Sequence, residues 1–129
     1  METLKNITIR QSNFTVEETL NRIAFFLQSK GITIYARIDQ QNEMAKIGQK
    51  IRPMEFIMFG KPSVGFKAVS INPVIALDLP LKILVYENEN GKVHIAYNEQ
   101  GFLSERYKLD PSVASLFVLD AVVSSALEN

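Results

Sequence analysis

The sequence predicts an α+β domain in the order β-α-β-(short α)-β-(short α)-β-β-α, a mixed sheet of about five strands with helices packed on it. Three observations carry that prediction. Residues 6–11 and 32–39 alternate apolar and polar side chains, the two-residue period of a half-buried strand. Between them, Thr15-Val16-Glu17-Glu18 forms a capping box ahead of a helical apolar stripe. Further on, Asn90-Gly91 separates two strand-like runs, a strong hairpin signal.

Each element follows from local chemistry. In the first strand Ile7 and Ile9 take one face, Thr8 and Arg10 the other. The first helix puts Val16, Leu20, Ile23 and Leu27 on one stripe, widened by Ala24 and Phe26. Gly31 ends it, because the left-handed position after a helix favours glycine. In the second strand Ile32, Ile34, Ala36 and Ile38 are expected on one face, with Thr33, Tyr35, Arg37 and Asp39 on the other. Strand, helix, strand favours a right-handed crossover with the two strands parallel. A short helix is expected within residues 40–50, ending near Gly48.

Residues 54–59 are apolar on both faces except at Glu55, which predicts a central strand covered on both sides or pressed against a partner. A turn over residues 60–63 leads to a short helix over 64–71, stopped by Asn72-Pro73. Residues 79–87 and 92–98 form the hairpin, and residues 102–107 a helical turn. Asp110-Pro111 then caps a last helix over about 111–128. Its residues 113–127 are apolar nearly all round, so it must be covered on more than one side. In a chain this short the simplest cover is a second copy, so a homodimer is expected, with residues 1–129 forming a single domain.

Composition excludes several classes of function. Lys+Arg and Asp+Glu number 14 each, so the formal charge is zero and no basic patch marks a nucleic-acid or anionic-membrane binder. There are no cysteines, which removes disulfides, thiol catalysis and zinc-thiolate sites. One histidine and no carboxylate-rich spacing leave no metal site and no cofactor to expect. No apolar run approaches the ~20 residues of a membrane span. The first residues lack the apolar core of a signal peptide, so a cytoplasmic location is expected.

Ala36-Arg37-Ile38-Asp39, Arg52-Pro53, Phe59-Gly60-Lys61-Pro62, Leu77-Asp78-Leu79-Pro80-Leu81-Lys82 and Tyr97-Asn98 occur here in one order and spacing. Together they resemble the bacterial and archaeal domain-of-unknown-function family 302, over about residues 14–110. The resemblance implies a compact α+β domain, often dimeric, and no established reaction. The family commonly places histidine after its Arg-Ile-Asp motif, where this chain has Gln40. It commonly places asparagine in the Phe-Gly-Asn-Pro turn, where this chain has Lys61.

The same motif residues give a candidate site of Arg37, Asp39, Arg52, Asp78, Lys82, Tyr97 and Asn98, with Glu55 nearby. If Asn90-Gly91 closes a two-residue loop, Leu84 lies opposite Tyr97, and Lys82 shares a face with Leu84, Tyr86, Val93, Ile95 and Tyr97. A lysine ending an apolar face needs an acid or an anionic ligand, and Asp78 is its nearest candidate partner. The bland alternative is an Asp–Lys pair that fixes register.

Gly60-Lys61-Pro62-Ser63-Val64-Gly65-Phe66-Lys67 has the placement of a phosphate loop but not its chemistry, since Phe66 and Ala68 flank Lys67. Ser63 is expected to cap the following helix. In the same register His94 faces Glu87 as an exposed cross-strand pair.

These readings favour a dimeric, non-enzymatic domain that binds a small amphipathic or anionic molecule. Arg52 and Lys82 would attract the anion, Asp39 and Asp78 would orient them, and Tyr97 would line an apolar wall. Two alternatives stand beside it: a small cofactor-independent enzyme using Asp39 or Asp78 with Lys82 or Tyr97, and a protein-interaction module.

Overall fold

The computed structural model describes residues 4–99 and 101–128. Five strands form one sheet in the order β1-β5-β4-β3-β2: β1 Ile7–Ser12, β2 Thr33–Asp39, β3 Met54–Gly60, β4 Leu81–Glu87 and β5 Val93–Asn98. Every paired neighbour is antiparallel, so the expectation of a mixed sheet is corrected in that respect. β1 and β2 do run the same way, but at opposite edges, because the other three strands fill the space between them.

Helix α1, Val16–Ser29, packs across this sheet. Thr15 accepts from the Glu18 amide at 3.1 Å, as the capping box requires. At its end the Ile32 amide reaches Leu27 O and the Gly31 amide reaches Gln28 O, a Schellman closure with Gly31 at φ +71°. The predicted stripe holds: Leu20, Ile23 and Leu27 are fully buried against Ile57, Ile83, Val85 and Ile95, also fully buried. Burying each such side chain contributes about 1.5–3 kcal/mol. Inside this core Ser12 and Thr19 satisfy each other through a 2.7 Å hydroxyl pair.

Helices α2 (Gln40–Lys46) and α3 (Pro62–Ile71) match the two short helices expected. The cap of α3 does not: Lys61 is its N-cap and Pro62 opens the helix, so Ser63 lies inside the first turn. A 3-10 turn, Pro73–Asp78, and α4, Gly101–Tyr107, follow as a second layer.

The C-terminal segment departs most from expectation. It is three pieces, not one helix: α5 Pro111–Ala114, a 3-10 turn Ser115–Phe117, and α6 Asp120–Leu127. Val118 is extended at the break. Its apolar residues are covered by the chain itself, from two sides. Ala114 and Phe117 join a small cluster with Ala68, Ile75, Leu103 and Leu109, while Leu119, Val123 and Ala126 join the main core beside α1. A helix apolar all round is unnecessary once two short helices face two cores. The reason for placing a second copy on this segment therefore disappears.

Two register details reassign faces. A bulge between Ile34 and Ala36 turns β2 over. Ile32 and Ile34 pack against the main core, while Ile38 pairs with Phe56 on the other face. The β4–β5 hairpin is longer by one residue than a two-residue loop allows. Glu87 pairs with Val93, the Asn88 amide donates to Lys92 O at 2.8 Å, and Gly91 sits at φ +76°. Leu84 therefore faces Ala96 rather than Tyr97. One residue of slip moves a whole strand's side chains to the other face.

Candidate functional site

The predicted polar cluster divides between opposite ends of the sheet. At one end, Arg37 donates to Glu55 at 2.9 Å and to Asn21 at 2.9 Å, and Arg52 donates to Glu87 at 3.1 Å. Asp39 caps α2 by accepting from the Asn42 amide at 2.9 Å. Both arginines are thus engaged by carboxylates beside a shallow, solvated cleft, in pairs worth little for stability that leave neither arginine free for an anionic ligand.

Asp78, Lys82 and Asn98 lie at the other end and line one polar pocket of about 150 Å³. The expected Asp78–Lys82 pair does not form. Asp78 pairs with Arg106 at 3.3 Å and accepts a hydrogen bond from Tyr107, and that hydrogen bond holds the Tyr107 phenol above its ordinary pKa. Lys82 instead places its ammonium 5.3 Å from the Phe56 ring, within cation–π range.

Tyr97 belongs to neither group. It is buried in the main core and donates to Asp120 at 2.5 Å, on the face opposite Lys82. Arg10 completes that contact by donating to Asp120 O at 3.2 Å and Ser124 at 2.9 Å, so the network moors α6 to the sheet. Burial first, then the Asp120 hydrogen bond, pushes the Tyr97 phenol up to about 12. The predicted face shared by Lys82 and Tyr97 is thus corrected by the hairpin register. His94 is corrected with it. It is 9% exposed, lies opposite Tyr86 and stacks on that ring at 5.6 Å, with Asn88 3.2 Å from Nε2.

A larger cavity lies beside the polar pocket and was not singled out from the sequence. It encloses about 370 Å³ between the end of β3, α3 and the C-terminal segment. Phe59, Val69, Leu81, Phe117, Leu119 and Val122 wall it. Lys61 is the one charged residue that lines it. The Tyr35 ring lies against Gly60 at its mouth, 3.4 Å from where a Cβ would stand. Among the described residues Lys61 forms no salt bridge, and it sits at the N-terminus of α3, where the helix dipole adds positive potential. Leu79, Pro80, Leu81, Phe117 and Leu119 line both spaces, so apolar cavity and polar pocket share a wall. A cis peptide joins Leu79 to Pro80 in that wall.

Lys61 was visible in the sequence as a departure from the family's turn. The apolar wall was not, because its residues come from segments far apart in the chain and look like core. Among the described residues no group of three or more His, Asp or Glu side chains could hold a metal ion. No helix among them is long and apolar enough to cross a membrane.

Comparison with known proteins agrees with this architecture. A crystal structure of an uncharacterized conserved DUF302 protein from Bacillus stearothermophilus superposes with a TM-score of 0.79 at 18% identity, covering 96% of this chain and 97% of that one. At that identity the likeness shows the fold. The chain is also 32% identical over 99 residues to a protein named fluoride-specific ion channel FluC 1 from Brucella suis biovar 1 (strain 1330), covering 77% of this chain and 39% of the relative. The FluC 1 of Brucella abortus biovar 1 (strain 9-941) gives 32% identity, 77% and 37%. The chain thus spans about two-fifths of the length of these relatives. The domain of unknown function DUF302 matches residues 7–125, nearly the whole sequence, and the chain belongs to that family.

Proposed function

We propose that this domain binds a small amphipathic anion, its apolar part in the 370 Å³ cavity and its negative end at Lys61. The observation that carries the reading is an almost wholly apolar, preformed cavity with one unpaired cation among its lining residues. Its volume lies in the range of small-molecule sites, about 300–1,000 Å³. An apolar chain entering it leaves water, while a carboxylate at the mouth meets the ammonium without being buried.

Of the residues expected from the sequence, Asp78, Lys82 and Asn98 stand one wall away from this cavity. Arg37, Asp39, Arg52 and Tyr97 have protein partners and no part in the reading.

Calorimetric titration with decanoate tests it. The expected result is saturable one-to-one binding, weakened about two- to fivefold by Lys61→Met, the loss expected of one solvent-exposed ion pair. Val69→Trp, which fills the cavity, should abolish binding without changing the circular dichroism spectrum. Lys82→Met should leave it intact. No saturable heat with the wild-type protein, or full binding by Val69→Trp, contradicts the proposal.

A further inference from the structure

The mouth of the apolar cavity carries a second polar group besides Lys61. Tyr35 is the extra residue of the bulge in β2. Ile34 pairs with Phe59 and Ala36 with Met58, consecutive residues of β3, so Tyr35 has no partner of its own in that strand. β2 is an edge strand, where a bulge can re-aim one side chain without disturbing a ladder on its other side. Here the ring reaches back over Gly60, the partner of Thr33.

Gly60 provides the seat. A Cβ at that position would stand 3.4 Å from Tyr35 Cε2, the ring carbon next to the one that bears the hydroxyl. The backbone does not require glycine there, because among the described residues the glycines at positive φ are Gly31, Gly48 and Gly91. Lys61 follows directly in the chain, and Tyr35, Gly60 and Lys61 all line the cavity. The Tyr97 and Tyr107 hydroxyls are held by Asp120 and Asp78. That of Tyr35 has no protein partner among the described residues, and the residue is 52% exposed.

We propose that Tyr35 is a specificity-determining residue, its hydroxyl donating to one carboxylate oxygen of the ligand while the Lys61 ammonium meets the other. This inference rests on the anion reading above and narrows it. A phenol and an ammonium at one mouth supply two donors to a head group with two acceptor oxygens. The ligand class is then a monocarboxylic acid with an apolar chain. The alcohol of the same chain enters the same cavity but offers a neutral oxygen, whose hydrogen bonds are about half as strong as those of a carboxylate.

The test is calorimetric titration of the full chain with octanoate and with 1-octanol. Tyr35→Phe keeps the ring over Gly60 and removes only the hydroxyl. It should weaken octanoate about threefold, the net worth of one exposed hydrogen bond, and octanol by less than a factor of about two. Gly60→Val takes the seat of the ring while leaving the hydroxyl in the chain, and a strand position accepts valine; it should give the same loss for octanoate. Equal octanoate affinity in the wild type and Tyr35→Phe overturns this inference and leaves the cavity reading standing. So does an equal loss for both ligands, which would make Tyr35 part of the apolar wall alone. A wild type that binds octanol but not octanoate overturns the carboxylate contacts of Lys61 and Tyr35 together. One that binds neither overturns the cavity reading and this inference with it.

Discussion

The two faces of β4 show how differently one strand can spend its side chains. Ile83 and Val85 point under α1 and are fully buried, while Lys82, Leu84 and Tyr86 alternate with them on a face that no core cluster reaches. The composition of the two sets overlaps; their surroundings do not. A single fully covered face is enough to specify the fold.

The largest expected effect comes from the covered face. Ile83→Ala removes methyl groups from a close-packed site and should lower unfolding free energy by about 2–5 kcal/mol in urea denaturation. Leu84→Ala should cost roughly 1 kcal/mol or less, because water already reaches that side chain. Equal costs at the two positions would break the comparison.

A second contrast lies in the mooring of α6. Tyr97→Phe removes the Asp120 contact but keeps the ring, and should cost about 0.5–1.5 kcal/mol. The same contact has a pH signature. The Tyr97 phenol titrates at about 12 in the folded protein against an ordinary value of 10.0, so the folded state holds its proton where the unfolded chain loses it. Stability should therefore be complete below pH 10 and fall as pH rises from 10 to about 12. In Tyr97→Phe that portion of the decline should vanish, and thermal melts across the range would show it.

A further effect of similar size is at the hairpin. Gly91→Ala meets no atom within 4 Å but forces alanine to φ +76°, so about 1 kcal/mol of backbone cost is expected, with the register retained.

Much of the fold was legible because it rests on local chemistry. The capping box at Thr15, the stop at Gly31 and the stripe of α1 each follow from residues within a few positions of one another. What was misread depended on single-residue offsets. Asn90-Gly91 signals a hairpin, yet the connection begins with the Asn88–Lys92 bond, and that one residue separates Lys82 from Tyr97. The bulge at β2 splits Ile34 from Ile38 for the same reason. Motif residues near one another in the pattern, such as Arg37 and Lys82, end on opposite faces of the sheet: Arg37 shares a row with Ile57 and Ile83, and Lys82, one row on, points the other way. The apolar cavity was hidden because residues 59–69 and 117–122 meet only after the C-terminal segment breaks at Val118.

The most direct test of the ligand site is a backbone amide NMR titration with decanoate. The account predicts saturating shifts confined to residues 32–35, 59–69, 79–81 and 117–122, with the row through Ile9, Leu84 and Phe56 unmoved. Shifts centred on that row, or spread across the surface without saturation, would contradict it.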